Sequence, residues 1–298
     1  MTIGATGTGT ESIHQGSQDL DLLETAALVR LLAGDQENAV KAVLAVADSI
    51  AKAVDLAAER LSLGGRLLYA GAGTSGRLAY LDSSELTPTF GWSKDRAVVA
   101  MAGGKNAVFQ AAEGAEDDFE MGRNDLLALK PTSHDVLIGI AASGGTPYVL
   151  GALELAKEHG ALRIGLSNNP NTKILEVADV SILLDTGAEV ISGSTRLKAG
   201  TAQKIALNTL SSGIMVRLNK VYGNLMVDLQ ATNIKLVARA IRLTRLATNA
   251  PDDMAEAALS QVGWNVKTAI VMLEKNLSAE SATALLEQCA GSVRRALQ

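Results

Sequence analysis

A short apolar segment that leads into a glycine-rich turn constrains this chain more than any other stretch. Residues 66–70 (Arg-Leu-Leu-Tyr-Ala) have the apolar character of a buried parallel strand. Residues 71–76 (Gly-Ala-Gly-Thr-Ser-Gly) follow and precede an amphipathic segment. Glycines allow close approach of a ligand, and the first N–H groups of a helix are unpaired. The sequence therefore predicts a phosphate cradle at Gly73, Thr74 and Ser75, with a purely structural turn as the alternative.

The Gly-x-Gly-x-x-Gly spacing of this turn also occurs in dinucleotide-binding folds. Two observations argue against a dinucleotide. The turn is rich in hydroxyl groups, and the next apolar run, residues 97–101, is followed by Gly103-Gly104-Lys105 where an acidic residue would bind the ribose. A P-loop is excluded because no Gly-Lys-Ser/Thr triplet follows at the required spacing.

Apolar runs and helical patterns alternate through the first two thirds of the chain. Strands are predicted at residues 66–70, 97–101, 135–142, 163–166 and 180–184. Unbroken apolar runs are typical of a parallel sheet that helices cover on both faces, and such sheets bind ligands at the carboxyl ends of their strands. The predicted fold class is therefore α/β, with a five-stranded parallel sheet.

Helical periodicity accounts for most of the remaining residues. Helices are predicted at residues 22–32, 37–61, 76–86, 106–120, 195–218, 228–248, 252–262, 265–275 and 279–297. The predicted domains are a flexible or partner-bound arm at 1–18, a phosphate-binding sheet domain with flanking helices at 19–248, and a C-terminal helical module at 249–298.

Composition excludes several classes of protein. The 298 residues carry a net charge of −5 and only 3% aromatic residues, which argues against nucleic-acid binding. The single cysteine, Cys289, excludes an intramolecular disulfide. The uncharged run 136–153 contains Gly144-Gly145-Thr146-Pro147, which favours strand, loop and helix over a membrane span. With no signal peptide visible, a cytoplasmic location without membrane contact is expected.

Two acidic residues are candidates for catalysis. Glu85 has small and apolar neighbours that could desolvate it and raise its pKa, and Glu116 lies beside a glycine in an acidic run. Solvated surface positions are the alternative for both. The three histidines form no metal or triad motif, so no metal ligands are predicted.

Two further hydroxyl-rich loops are candidates for ligand binding. Ser143, Gly144 and Thr146 follow the third predicted strand, and Pro147 suits the first turn of a helix. Ser194 and Thr195 follow the last strand and open a long helical pattern, where they would act as helix caps, as ligand donors, or as both.

Six blocks of this chain together resemble the N-acetylmuramic acid 6-phosphate etherase family, whose sheet is a sugar isomerase (SIS) domain of flavodoxin-like type. The blocks lie within residues 65–236 and read GAGTSGRL, LDSSEL-TPTFG, EGAED, AASGGTPYV, GSTRLKAGTAQK and NLMVDLQATNIKL. The sequence departs from the family pattern at Gly145, where arginine is typical, and at Leu86-Thr87, where Cys-Pro is common.

The resemblance implies a lyase that needs no cofactor and cleaves the lactyl ether by elimination and hydration. The products would be N-acetylglucosamine 6-phosphate and D-lactate. It implies proton donation to the lactyl oxygen by Glu85, action of Glu116 on the C2 proton or on water, and phosphate binding by the three hydroxyl-rich loops.

The resemblance also implies a homodimer whose second subunit could complete the site. Two alternative functions remain at this stage: a non-catalytic sugar-phosphate sensor, and an aldose-ketose phosphosugar isomerase. The isomerase would need a base for protons at C1 and C2 but no acid at C3.

Overall fold

The computed structural model describes residues 9–110, 112–229, 231 and 233–298. Residues 1–8 of the predicted arm, Ala111 in the predicted 106–120 helix, and Gln230 and Thr232 in the predicted 228–248 helix lie outside the described residues. Contacts divide the chain into two compact units: Met1–Ser83 with Asp95–Ser211, and Ser84–Lys94 with Ser212–Gln298. This grouping places residues 212–248 with the C-terminal helices, whereas the sequence prediction places them with the sheet.

The first unit is built on a five-stranded parallel sheet, as predicted. Its strands are β1 (Leu67–Gly71), β2 (Ala97–Met101), β3 (Val136–Ala141), β4 (Leu162–Ser167) and β5 (Val180–Leu183). Every residue of β1 and β3 is buried, which explains why these strands are continuous apolar runs.

The strand order β2-β1-β3-β4-β5 fixes where a ligand can bind. All neighbouring strands pair in parallel, and β1 contacts β2 on one side and β3 on the other. This is the flavodoxin-like order, in which the direction of winding changes between β1 and β3. The loops that follow β1 and β3 therefore leave a crevice between them at the carboxyl edge of the sheet.

Helices that begin in the first unit precede, connect and follow the strands. They are α1 (Thr25–Asp35), α2 (Glu37–Ala45), α3 (Ala47–Ser62), α4 (Gly73–Phe90), α5 (Phe119–Ala128), α6 (Pro147–Glu158), α7 (Lys173–Val177) and α8 (Lys198–Arg217). The fully buried side chains of Leu137, Tyr148 and Leu153 belong to one cluster between the sheet and α6. Burial of each such side chain contributes about 2 kcal/mol to folding, so this packing fixes the start of α6 firmly.

Three helix predictions in this part of the chain are wrong. The single helix predicted at 37–61 is two helices, α2 and α3, because Val46 leaves helical geometry with φ of −115° and ψ of 22°. The predicted helix at 106–120 is replaced by two 3₁₀ turns, Lys105–Val108 and Ala115–Asp117, because Gly114 adopts a left-handed conformation. The α-helix begins later, at Phe119, where the Asp118 side chain accepts a hydrogen bond from the Met121 N–H at 2.8 Å.

The predicted stop at Thr87-Pro88 is also wrong, because α4 continues to Phe90. Pro88 lies in the last turn of α4. Proline removes one backbone hydrogen bond of the helix, and only two helical residues follow it. The helix then ends with the Gly91 N–H bonded to the Thr87 carbonyl and the Thr87 hydroxyl bonded to the Trp92 carbonyl at 2.8 Å.

The second unit has a helical core. Its helices are α9 (Ile234–Thr248), α10 (Asp252–Gln261), α11 (Val266–Lys275), α12 (Ala279–Gln288) and α13 (Val293–Leu297). The apolar side chains of α11 are central, since Val266, Ile270 and Val271 are each at most 1% exposed. The predicted helix at 279–297 is in fact two helices, because Ala290 and Gly291 have positive φ and Ser292 caps α13 by accepting the Arg295 N–H.

In the described part of the chain, no helix has both the length and the apolar character needed to cross a bilayer.

Candidate active site

A cavity of about 290 Å³ opens at the carboxyl edge of the sheet, where β1 and β3 adjoin. It is lined by Glu11, Ala72, Gly73, Thr74, Ser75, Glu116, Ile140, Ala141, Ala142, Ser143, Thr146, Gly193 and Thr195. The loops after β1 and β3 supply most of these residues, and the segment before α8 supplies the last two. Residues from all three hydroxyl-rich loops therefore meet in one place.

The start of α4 is held close to β1 by two glycines. A Cβ atom at Gly71 would lie 2.8 Å from the Gly76 nitrogen, and one at Gly76 would lie 2.9 Å from the Gly71 carbonyl oxygen. Only glycine permits this approach of backbone to backbone. It places Gly73 and Thr74 in the cavity wall at the positive end of an 18-residue helix, where N–H groups have no helical carbonyl to bond.

A buried carboxylate fixes the same helix further along. Asp82 is 5% exposed and accepts hydrogen bonds from the Tyr69 hydroxyl at 2.8 Å and the Ser211 hydroxyl at 2.9 Å. Burial, followed by the negative charge and the hydrogen bond of Asp82, raises the pKa of Tyr69 well above its ordinary value. The tyrosine therefore remains a neutral donor that attaches α4 to β1.

The loop after β3 forms the opposite wall of the cavity. Gly144 has φ of +66°, and a Cβ atom there would lie 2.3 Å from the Thr172 hydroxyl oxygen. The Ser143 and Thr146 hydroxyl oxygens are 3.4 Å apart, and Thr146 is the residue before the first turn of α6. Because neither hydroxyl caps α6, both remain placed to bond a ligand at a second helix N-terminus. Gly144 shapes this loop but does not line the cavity.

The Ser75 hydroxyl is committed to the fold. It donates to the Gln203 side-chain oxygen at 2.8 Å, and the Gln203 amide donates to the Asn168 side-chain oxygen at 2.8 Å. Asn168 in turn donates to the Leu184 carbonyl at 3.0 Å. All three side chains are at most 7% exposed. This chain joins α4, α8 and the carboxyl ends of β4 and β5, so Ser75 orders the cavity wall.

The segment before α8 differs from the sequence prediction. The helix begins at Lys198, and its first N–H groups are capped by Glu189, which accepts from Lys198 at 3.1 Å and Ala199 at 2.9 Å. Ser194 and Thr195 are therefore not the cap. Thr195 lines the cavity, whereas Ser194 does not. Burial raises the pKa of Glu189, although the backbone N–H bonds of Ala199 and Lys198 and the Lys198 charge act in the opposite direction.

Glu116 is the predicted catalytic residue that reaches the cavity. It lies on the 3₁₀ turn Ala115–Asp117, and its side chain faces solvent on the cavity side. A second cavity of about 230 Å³ shares Ala72, Gly73 and Glu116 with the first. Glu116 therefore lies at the border of the two cavities.

Glu85 has different surroundings. It lies on α4, is exposed to solvent, and is absent from the residues that line either cavity. The desolvation expected from its small and apolar neighbours is therefore not found in the single chain, because Leu86 turns inward, at 2% exposed, while Glu85 turns outward.

Comparison with known proteins identifies two overlapping domain families. The glucokinase regulatory protein N-terminal SIS domain matches residues 49–157, and the SIS domain matches residues 123–212. Together these matches cover the sheet and every loop that lines the cavity, apart from Glu11.

Two full-length relatives narrow this assignment. An N-acetylmuramic acid 6-phosphate etherase of Deinococcus radiodurans is 56% identical over 97% of this chain and 94% of its own length. One from Caldanaerobacter subterraneus subsp. tengcongensis is 48% identical with the same coverage. The chain belongs to the N-acetylmuramic acid 6-phosphate etherase family.

Solved structures support the fold of this etherase-family chain. A crystal structure from Bacteroides fragilis, described as a phosphosugar isomerase involved in capsule formation, aligns with a TM-score of 0.50. It is 21% identical and covers 66% of this chain and 94% of its own. At this identity the likeness concerns the SIS architecture alone.

Sequence reasoning missed two residues of the etherase-family site. Gln203 was visible in the polar block that begins α8, where its four-residue spacing places it on the same helical face as Ala199, but it was given no role. Glu11 belongs to a Thr-Glu pair that resembles the family pattern, but it was given no role because it lies in the segment predicted as a flexible or partner-bound arm. In the structure Gly9–Glu11 forms a 3₁₀ turn whose Thr10 is fully buried.

Proposed function

We propose that this protein is an N-acetylmuramic acid 6-phosphate etherase, a carbon-oxygen lyase. The observation that carries the proposal is the cavity at the β1/β3 crevice, where hydroxyl groups and two helix N-termini face Glu116. The reaction consumes one water: the C3–oxygen bond to the lactyl group breaks, and the products are N-acetylglucosamine 6-phosphate and D-lactate.

The 6-phosphate is proposed to bind between the starts of α4 and α6. Thr74, Ser143 and Thr146 offer hydroxyl groups there, Thr195 adds one from the segment before α8, and each helix adds the positive end of its dipole. Among the described residues that line this cavity, none is a lysine or an arginine. Neutral donors would therefore hold the phosphate, and Gly145 leaves the space beside them open.

Glu116 is proposed as the base for the carbon acid. Opening of the sugar ring exposes an aldehyde that acidifies the proton on C2, and a carboxylate within reach can remove it. Loss of lactate from C3 then leaves an unsaturated aldehyde, to which water adds at C3. With the phosphate at the helix N-termini, Glu116 at the border of the two cavities lies where the middle of the sugar would extend.

Glu85 is proposed as the acid that protonates the departing lactyl oxygen. Because its carboxylate is exposed to solvent, where another chain can cover it, we propose that a second copy of the chain supplies it. Exposed apolar side chains that such a homodimer could cover include Val216, Ile234 and Leu246, which are 51%, 90% and 56% exposed. We further propose a cytoplasmic location, because a phosphorylated sugar does not cross a bilayer unaided.

Complementation tests this shared-site proposal. Glu85→Gln and Glu116→Gln are each expected to abolish most turnover. Mixed dimers would contain one site with both substitutions and one site with neither, so random mixing would restore about a quarter of the wild-type activity. No recovery, despite subunit exchange confirmed by native mass spectrometry of a tagged partner, would mean that both residues act within one chain.

Release of D-lactate tests the function itself. Purified protein is incubated with N-acetylmuramic acid 6-phosphate in water enriched in oxygen-18, and lactate and labelled sugar are measured. Lactate release with label at C3 supports elimination and hydration. Tight binding without lactate would support a sensor instead, and exchange of the C2 proton with formation of a ketose would support an isomerase.

A further inference from the structure

We propose that Glu11 is a substrate-binding residue that accepts hydrogen bonds from the sugar, and that Thr10 and Asn169 hold it in place. This inference rests on the proposed sugar-phosphate site and adds a residue that determines specificity for the sugar rather than for the phosphate. It is carried by contacts between the N-terminal segment and the carboxyl edge of the sheet.

The anchor is a reciprocal pair of hydrogen bonds. The Thr10 N–H donates to the Asn169 side-chain oxygen at 2.9 Å, and the Asn169 amide donates back to the Thr10 hydroxyl at 2.8 Å. The same amide donates to the Ala142 carbonyl at 2.9 Å, at the end of β3. Thr10 is 0% exposed, so these bonds are shielded from water.

Gly9 completes the anchor. A Cβ atom at this position would lie 1.8 Å from the Asn169 side-chain oxygen, and its φ of +62° is unfavourable for other residues. Glu11, two residues after Gly9, therefore extends from a fixed backbone and lines the cavity together with Thr74 and Ser143.

The chemistry of the cavity assigns the role of Glu11. A carboxylate only accepts hydrogen bonds and repels a phosphate, whereas the hydroxyl groups and helix N-termini of the other walls attract one. The Glu11 carboxylate lies near Gly193, where a Cβ atom would be 3.7 Å from the carboxylate oxygen. Gly193 belongs to the segment before α8 and not to the loops that begin α4 and α6. A ligand with its phosphate on those helices would present sugar O–H and N–H donors to Glu11.

Calorimetric titration with two ligands tests the inference. For Glu11→Gln, affinity for N-acetylglucosamine 6-phosphate should fall about tenfold, and Glu11→Ala should lose more, because a charged acceptor of hydrogen bonds is removed. Affinity for inorganic phosphate should stay the same or rise about twofold, since a negative charge has left the cavity. Thr10→Val should weaken sugar-phosphate binding as well, because it releases the anchor.

The matched control is Glu24→Gln, which changes an exposed glutamate outside the cavity and should alter neither affinity. Equal weakening of both ligands by Glu11→Gln, or wild-type affinity for both, would overturn the assignment. The etherase proposal fails separately: wild-type protein that binds the sugar phosphate through Glu11 but releases no lactate would refute the reaction and leave the inference standing. Wild-type protein that does not bind the sugar phosphate would refute both.

Discussion

At the amino ends of the strands, charged side chains bond to the protein itself, whereas at the carboxyl ends polar groups face a cavity. Asp135, 1% exposed, accepts hydrogen bonds from the Arg66 guanidinium at 2.7 Å, from the Arg66 N–H at 2.7 Å and from the Thr132 N–H at 2.9 Å. Arg163 and Asp179 form a similar pair at 2.6 Å.

The opposite edge of the same sheet has another organisation. Thr74, Thr146 and Thr195 line the cavity, and Glu116 faces it without a cation among the described lining residues. At the amino ends of the strands (the amino edge), opposite charges pair with each other and stabilise the fold. At the carboxyl ends (the carboxyl edge), hydroxyl groups and the Glu116 carboxylate remain available to bond a ligand. Substitutions at the two edges should therefore affect different measurements.

The largest effect is expected from Glu116→Gln. Loss of a general base lowers rates by 10²–10⁴-fold, so lactate release should fall about 10³-fold while the urea midpoint stays unchanged. Glu120→Gln, on the exposed face of nearby α5, is the control and should keep full activity. Near-normal turnover of Glu116→Gln would show that Glu116 is not part of the mechanism and that the carboxyl edge does not owe its function to this carboxylate.

The next effect concerns the amino edge. Asp135→Asn leaves Arg66 without its buried carboxylate and should reduce the free energy of unfolding by about 3 kcal/mol in urea titrations at neutral pH. Affinity for inorganic phosphate of the folded variant should not change. A loss of phosphate affinity equal to that of a cavity variant would show that the two edges are not separate in function.

The same residue predicts a pH dependence of stability. Burial alone would raise the pKa of Asp135, but hydrogen bonds from Arg66 and Thr132 outweigh it and lower the pKa. A lowered native pKa stabilises the protein above the unfolded pKa of about 3.9, and this contribution is lost as the pH falls through the native value. The stability difference between wild type and Asp135→Asn should therefore shrink below about pH 4. A difference that stays constant to pH 2 would contradict this account.

A smaller pair of effects sharpens the comparison within the cavity wall. Ser75→Ala leaves the buried Gln203 oxygen without its donor and should cost about 1–2 kcal/mol of stability, with little change in phosphate affinity.

Thr146→Val should show the reverse pattern. Its hydroxyl caps no helix, so stability should change little, whereas affinity for inorganic phosphate should fall about fivefold through loss of one hydrogen bond. Thr283→Val, at an exposed position on α12, is the control and should leave phosphate affinity unchanged. If Ser75→Ala lowers phosphate affinity more than Thr146→Val does, the assignment of the two hydroxyls is inverted.

These two edges also show what a sequence can predict. The sheet was predictable because buried parallel strands such as β1 and β3 are continuous apolar runs, and their end loops had to share one edge. The local backbone conformation was not predictable. Gly114 is left-handed, so the helix predicted there does not form, and α4 continues through Pro88 in its last turn. Neither outcome is visible in periodicity alone.

The candidate site divides in the same way. The hydroxyl-rich loops were predicted because strand ends, glycines and helix starts are adjacent in sequence. The Ser75–Gln203 bond and the Thr10–Asn169 pair join residues 128 and 159 positions apart, which no local pattern can reveal. The assignment of Glu85 depends on a neighbouring copy of the chain and stays a prediction.

The Thr10–Asn169 pair also sets an order on biosynthesis. Thr10 leaves the ribosome early, yet its hydrogen-bonding partner lies 159 residues further along. At translation rates of about 5–20 residues per second, about 10–30 s pass between the synthesis of Thr10 and that of Asn169, to which it binds. Residues 9–11 are thus made long before they can dock, and their attachment to the carboxyl edge of the sheet belongs to a late step of folding.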